Sequence, residues 1–115
     1  SNPVQEKSYA FALRIMDLGK ALQTEQREYV VSRQVVRSGT SIGANIEEAT
    51  AGPTRKDFAA KMGVASKEAR ETRYWLRLLR DSHYVEKPLA ESLIRDCNEL
   101  VKLLTAIVKT AQAGS

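Results

Sequence analysis

The sequence predicts an all-α protein, an antiparallel up-down-up-down four-helix bundle in a single domain over residues 1–115. Three observations predict this fold. Apolar residues recur at a period of about 3.5 residues in four segments, which keeps one face of each helix against its neighbours. No segment alternates apolar and polar residues as a strand does, and the short polar connections favour antiparallel neighbours. The predicted helices span residues 4–22, 29–51, 54–82 and 87–112.

The first two helices are predicted because residues of a core pattern, mostly apolar or small, recur at alternating intervals of four and three residues. We call each such row of residues a seam. In the first helix they are Val4, Ser8, Phe11, Ile15, Leu18 and Leu22. In the second helix they are Val31, Val35, Ser38, Ile42, Asn45 and Ala49. The spacing continues through Gly39 and Gly43, although each glycine costs a helix interior about 1 kcal/mol relative to alanine. Both glycines lie on one face, and we expect the ring of Trp75 to fill the groove that they leave.

The same spacing predicts the third and fourth helices. In the third helix the residues are Phe58, Met62, Ala65, Ala69, Thr72, Leu76 and Leu79. In the fourth helix they are Leu93, Cys97, Leu100, Leu104, Ile107 and Ala111. Gly52 and Pro53 end the second helix, and Thr54 with Asp57 forms an approximate capping box for the third. Pro88 suits the first turn of the fourth helix.

The composition is that of a soluble protein with a basic third segment. Hydrophobic residues make up 43% and charged residues 28% of the chain, which is ordinary for a globular domain. The formal net charge is +4, and residues 54–86 supply most of the surplus with eight basic and five acidic side chains. No apolar run approaches the roughly 20 residues that cross a bilayer, and no secretory leader is present. We therefore expect a cytoplasmic protein.

No cluster of residues predicts catalysis, so we expect no enzymatic activity, no cofactor and no metal. One histidine, His83, and one cysteine, Cys97, are too few for a zinc site, and the chain has no Glu-x-x-His pair of the di-iron bundles. Gly39 and Gly43 are not followed by the Lys and Ser or Thr of a phosphate-binding loop. We expect Cys97 to be a small buried hydrophobe and His83 to be a surface or capping side chain.

A basic stripe on the third helix is the candidate nucleic-acid-binding surface. Its members share one face because they are spaced three or four residues apart. They are Lys67, Arg70, Arg73, Arg77 and Arg80. Arg73 and Arg77 are like charges four residues apart, which opposes helix formation by roughly a few tenths of a kcal/mol unless phosphates neutralise them. Arg77 can also pair with Asp81, four residues further along the helix.

The alternative is a solvated stripe with carboxylate partners from Glu47, Glu48 or a neighbouring subunit. The protein is then a protein–protein interaction scaffold without nucleic-acid binding, and the arginine stripe serves subunit contacts.

Two further groups of residues have structural interpretations. Two polar residues at seam positions, together with two glutamates that flank them, predict a structural network that fixes helix register, with Arg37 or Arg73 as its cationic partner. Its members are Asn45, Glu48, Glu68 and Thr72. Apolar residues beside the seams, next to Tyr74, serve either as additional core or as an oligomer interface. They are Trp75, Leu78, Ile94, Val101 and Val108.

Four stretches of the sequence carry a family resemblance. Residues 37–49 read RSGTSIGANIEEA, residues 57–58 read DF, residues 66–69 read SKEA and residues 71–79 read ETRYWLRLL. They resemble the bacterial four-helix bundle family that is also called the 23S rRNA intervening-sequence proteins. Many members of that family end the first motif with glycine where this chain has Ala49, which shifts the end of the helix slightly.

The resemblance implies a left-handed antiparallel bundle that assembles into a homopentamer. Some members of the family are encoded inside insertions in ribosomal RNA genes. A related branch, the accessory variability proteins of diversity-generating retroelements, forms basic pentamers that bind a reverse transcriptase and nucleic acid, and residues 74–79 are similar to that branch. Because the second-helix motif is closer to the rRNA-insertion branch, a reverse-transcriptase partner is implied only by distant analogy. The expected function is a non-enzymatic homo-oligomeric module that contacts RNA or DNA.

Overall fold

Four antiparallel helices form the molecule. The computed structural model describes residues 2–113. The helices are α1 (Pro3–Thr24), α2 (Val30–Thr50), α3 (Arg55–Asp81) and α4 (Lys87–Ala113), and within the described residues there is no strand. Each bound lies within two residues of the predicted one. The predicted all-α four-helix bundle is confirmed.

The helices stand at the corners of a square. Consecutive helices are in contact, and α1 also contacts α4, whereas the backbones of the diagonal pairs do not approach one another in the part of the chain described here. This arrangement is the up-down-up-down topology. The bundle measures 46 × 22 × 19 Å, so its four long faces are each made by two adjacent helices.

The side chains of the N-cap residues bind the first turns of α1 and α3. Asn2 and Gln5 form a reciprocal capping box at the start of α1, with Asn2 Oδ1 accepting from the Gln5 N–H at 2.9 Å. At the start of α3 the Thr54 hydroxyl oxygen accepts from the Asp57 N–H at 3.0 Å. Asp57 binds the Thr54 hydroxyl at 2.7 Å instead of the Thr54 N–H, so the predicted capping box is only half formed.

The core follows the predicted seams in α1, α3 and α4. All six seam residues of α1 are buried, and so are Met62 to Leu79 of the α3 seam and Leu93 to Leu104 of the α4 seam. The remaining seam residues are only half-buried, at the end of the bundle where α3 begins and α4 ends; they are Phe58, Ile107 and Ala111. Burial of this apolar surface supplies most of the free energy that opposes the chain entropy lost on folding.

The seam of α2 differs from the prediction at two positions. Val31 and Asn45 are half-buried, and the neighbouring residues Ser32 and Ile46 are fully buried instead. In a helix, Asn45 and Ile46 lie on either side of Ile42. At the second position the core takes the isoleucine because burying an amide costs free energy that burying a hydrocarbon does not. At the first position the buried Ser32 hydroxyl accepts a hydrogen bond from the Gln23 side chain at 3.4 Å.

The glycine groove of α2 receives α1, so the prediction that Trp75 fills it is wrong. A Cβ at Gly39 would lie 2.8 Å from Ile15 Cγ2, and a Cβ at Gly43 would lie 3.3 Å from the Ser8 hydroxyl. The Trp75 indole N–H instead donates to the Glu71 carboxylate in its own helix at 2.9 Å. The two glycines therefore allow the α1 and α2 backbones to approach closely.

Candidate functional site

The basic stripe of α3 lies at its border with α4. The Arg73 guanidinium donates to the Asn98 side-chain oxygen at 2.9 Å, and the Arg70 guanidinium donates to the Thr105 hydroxyl at 3.0 Å. Both acceptors are uncharged, and no carboxylate in the described part of the chain forms an ion pair with either arginine. Within residues 2–113, no hydrogen bond or ion pair engages the side chain of Lys67 or Arg77.

The fourth helix extends this positive surface. Arg95, Lys102 and Lys109 are exposed and are spaced three or four residues from Asn98 and Thr105, so they lie on the same side of α4 as the two acceptors. We call the combined surface the α3–α4 basic face. It comprises Lys67, Arg70, Arg73, Arg77, Arg80, Arg95, Lys102 and Lys109.

Sequence reasoning missed the α4 half of this face. The fourth segment, residues 87–115, carries four basic and three acidic residues, so its net charge is close to zero. Counting charge per face would have found it, because positions 95, 98, 102, 105 and 109 read Arg, Asn, Lys, Thr and Lys without an acidic residue. That reading also requires knowing that α4 lies beside α3.

At two other helix–helix interfaces of the bundle, carboxylates form ion pairs. Two ion pairs join α1 to α4, and three join α2 to α3. The pairs are Lys7–Glu99, Arg14–Asp96, Arg37–Glu68, Arg37–Glu71 and Lys61–Glu48. These five pairs offset the charge of carboxylates at the two interfaces that flank the third and fourth helices.

One end of the basic face is acidic. Asp81, Glu86 and Glu91 surround Arg80 near the connection between α3 and α4. The Arg80 Nε–H donates to Asp81 Oδ1 at 2.8 Å, and this hydrogen bond lowers the pKa of Asp81 and raises the pKa of Arg80. Asp81 is therefore the ion-pair partner of Arg80, and the pair that the spacing allows between Arg77 and Asp81 does not form; Arg77 lowers the pKa of Asp81 only as a weaker, more distant charge. The neighbouring guanidinium reaches the carboxylate first, and Arg77 stays available.

The predicted structural network is divided between separate contacts. Arg37 binds Glu68 at 3.3 Å, and the buried Thr72 hydroxyl lies 2.8 Å from the Ser38 hydroxyl and 2.7 Å from the carbonyl oxygen of Glu68. Asn45 does not join them, because its amide donates to the Ser41 carbonyl in its own helix at 2.8 Å.

Glu48 also stands apart from the predicted network. Its carboxylate binds Lys61 at 2.8 Å, so it is not available to the α3 arginines either. The predicted network therefore reduces to Glu68, Thr72 and their partners on α2.

The predicted interface residues differ in accessibility. Val101 is buried, and Ile94 and Val108 pack against the core beneath the basic face, so this lane of α4 belongs to the core. Trp75 is half-buried against the core, and Leu78 is 39% exposed. A second subunit therefore has access to Leu78 and only part of Trp75.

An exposed apolar stripe on α1 escaped the sequence analysis. Tyr9, Leu13 and Met16 are 69%, 53% and 45% exposed and are spaced four and three residues apart on one face. Their period resembles that of the core seam, so the sequence signal was present. It was assigned to no surface because the seam residues already accounted for the helix.

The cysteine lies in the core of the bundle, and the histidine lies just after the end of α3. Cys97 is fully buried, its thiol donates to the Ala69 carbonyl at 3.1 Å, and burial raises its pKa from 9.0 to about 12. His83 is exposed and has a positive φ of 66° just after α3, where the Tyr84 N–H binds the Leu79 carbonyl and closes the helix end.

Two kinds of site are absent from the described range. Residues 2–113 contain no group of three or more His, Cys, Asp or Glu side chains that could hold a metal ion. None of the four helices there is long and apolar enough to span a membrane.

Comparisons with known proteins agree with this architecture. The chain is 50% identical to a protein of unknown function from the S23 ribosomal protein family of Bacteroides thetaiotaomicron, whose crystal structure superposes with a TM-score of 0.91. The match covers 92% of this chain and 98% of that one. No curated protein matches the chain. The family model for the 23S rRNA-intervening sequence protein matches residues 1–106, and the chain therefore belongs to that family.

Proposed function

We propose that this protein is a non-enzymatic, homo-oligomeric module whose α3–α4 basic face contacts RNA or DNA. The observation that carries the proposal is the grouping of eight cationic side chains on one long face. Six of them are exposed and two are half-buried. Asp81, Glu86 and Glu91 lie beside Arg80 at one end of this face, and Glu99 of α4 is paired with Lys7 of α1.

The face has dimensions that suit a nucleic-acid backbone. Lys67 and Arg80 are separated by 13 residues of α3, and Arg95 and Lys109 by 14 residues of α4, so each row is about 20 Å long. Phosphates recur about every 3.4 Å along each strand of a duplex. Arginine suits bidentate phosphate contact, and Arg70 and Arg73 are already held in place by Thr105 and Asn98.

A gel-shift or anisotropy titration with RNA and DNA probes tests the proposal. The name of the family refers to ribosomal RNA, which makes RNA the first probe. We expect binding at low salt, with the logarithm of the association constant falling linearly as the logarithm of the salt concentration rises. Each substitution that neutralises one phosphate-binding cation, such as Lys102→Gln, should reduce the magnitude of this slope by about 0.7 to 0.9.

A charge-matched pair of double variants separates this face from net charge. Arg77→Glu with Lys102→Glu places two reversals on the basic face, and Lys20→Glu with Arg33→Glu places two on exposed sites of α1 and α2. We expect the first variant to lose about tenfold or more in affinity and the second to lose far less. Equal losses, or no binding by the folded wild-type protein, would contradict the proposal.

The α1 stripe supports the homo-oligomeric part of the proposal. Exposed apolar side chains arranged together on one helix are typical of an interaction surface, and Tyr9, Leu13 and Met16 form such a group. We propose five subunits, the number that the family resemblance implies, which corresponds to about 64 kDa for a 12.8 kDa chain.

Light scattering on a sizing column measures the subunit number. Leu13→Glu should reduce the mass toward that of a monomer, because a carboxylate buried in an interface loses hydration. Val30→Glu is the matched control, since Val30 is an exposed apolar residue at the start of α2 that does not belong to the α1 stripe. If Arg77→Glu dissociates the oligomer and Leu13→Glu does not, the arginine stripe serves subunit contacts and the alternative scaffold function holds.

A further inference from the structure

The outer surface of α3 carries an exposed aromatic ring among its cationic side chains. Tyr74 is 54% exposed. It lies on the same face of the helix as Lys67, Arg70 and Arg77, because the four residues are spaced three and four apart. Arg70 is one turn before the tyrosine and Arg77 is one turn after it. A ring and phosphate-binding groups are thus placed together on one helix.

A chain of contacts fixes the position of this ring. The Tyr74 and Trp75 rings are 5.1 Å apart between centroids, with their planes at 72°. The Trp75 indole N–H donates to Glu71 at 2.9 Å, and Glu71 is in turn paired with Arg37 of α2. A ring that is already held in place loses little conformational entropy when a ligand stacks on it.

The shape of the face disfavours the grooves of a duplex. An α-helix with its side chains is about 10 to 12 Å in diameter. Two such helices packed side by side, with axes about 8 to 10 Å apart, form a face roughly 20 Å wide. The major groove of B-DNA is only about 12 Å wide, so the two basic rows cannot enter it together. A base that stacks on a protein ring must also be free of its partner strand. Both considerations favour an unpaired strand.

We propose that the α3–α4 basic face binds single-stranded nucleic acid, with one base stacked on Tyr74 and the adjoining phosphates on Arg70 and Arg77. This inference rests on the proposed function and narrows it to one class of ligand. Base–aromatic stacking tolerates any base, so the predicted contact has little sequence preference. RNA and DNA share the chemistry that this surface recognises.

Competition between single-stranded and duplex probes of the same sequence tests the inference. Probes of about 16 nucleotides, the upper end of the site size of a small binding domain, are used as RNA and as DNA. We expect tighter binding of both single strands than of either duplex. Tyr74→Leu should weaken single-strand binding by about five- to a hundredfold, whereas Tyr74→Phe should keep it.

Two controls accompany these variants. Tyr29→Leu removes a tyrosine of similar exposure, 46%, from the start of α2 and should leave binding unchanged. Trp75, the single tryptophan of the chain, lies next to the stacking ring. Its fluorescence should change on addition of a single strand to the wild-type protein and change less in Tyr74→Leu.

The outcomes separate this inference from the proposed function. If single strands and duplexes bind equally and Tyr74→Leu has no effect, while reversal of Arg77 and Lys102 still weakens binding, the stacking site is refuted and the basic face stands. If no probe binds, both fail. If Tyr74→Leu changes the mass measured by light scattering, the ring belongs to a subunit interface and the inference is overturned.

Discussion

Gly39 and Gly63 both lie inside helices, but their surroundings differ. A Cβ at Gly39 would lie 2.8 Å from Ile15 Cγ2, and Ile15 is fully buried, so the neighbour has little room to move. A Cβ at Gly63 would meet no atom within 4 Å. Glycine is thus needed by packing at the first position, and packing within this chain does not require it at the second.

Alanine substitutions at the two glycines should have opposite effects. Gly39→Ala should lower the free energy of unfolding by about 1 to 3 kcal/mol because it overpacks the α1–α2 contact. Gly63→Ala should raise the free energy of unfolding by about 0.5 to 1 kcal/mol. The unfolded chain has less conformational freedom with alanine than with glycine, so less entropy is lost when the helix forms. Urea denaturation followed by circular dichroism measures both. A stabilising Gly39→Ala would show that α1 and α2 do not pack as described.

At the scale of the element, the start of α2 depends on a residue outside the helix. Tyr29 occupies the N-cap position without a capping side chain. The Glu28 carboxylate accepts instead from the N–H groups of Val30, Val31 and Ser32 at 3.2, 3.1 and 2.7 Å. The first-turn N–H groups have no partner within the helix, and they carry a partial positive charge that a carboxylate stabilises.

Removal of this cap should destabilise the bundle measurably. Glu28→Ala should lower the free energy of unfolding by about 1 kcal/mol. Glu25→Ala is the matched control, since it removes an exposed carboxylate of the same connection, at the end of α1, where the helix dipole does not favour a negative charge. Thermal and urea unfolding of both variants give the comparison. Equal losses would argue against the capping role.

The seam of α2 illustrates why element-scale prediction was incomplete. Spacing alone placed Asn45 in the core, and the structure places Ile46 there. A period locates the buried face of a helix to within about one residue on either side. The final rotation of the helix depends on which neighbouring side chain the facing helices can bury at lower cost.

At the scale of the whole molecule, the distribution of charge is the main feature. The α1–α4 and α2–α3 interfaces, which flank the α3–α4 basic face, contain paired carboxylates, and the face itself contains eight cations. Five of its eight residues, those of the α3 stripe, could be predicted because they are close in sequence. The α4 half depends on residues some 30 positions away, and its contribution exists only once α3 and α4 lie side by side.

Cys97 reports the integrity of the whole bundle. At pH 8 its thiol should resist alkylation in the native protein, because it is fully buried and its pKa is raised to about 12. Since the folded state holds this proton above pH 9.0, where the unfolded thiol loses it, stability should fall as the pH rises from 9.0 toward 12. Unfolding free energies of wild type and Cys97→Ala over this range give the test. Parallel curves for the two proteins would contradict it.

The sequence by itself determined the four helices, their bounds and most of the core, because periodicity and capping act between residues a few positions apart. Tertiary structure alone decided that α1 fills the glycine groove, that Val101 is core, that Asp81 pairs with Arg80 and that α4 completes the basic face. These outcomes depend on the rotation of each helix and on its register against its neighbours. Packing between distant parts of the chain sets both.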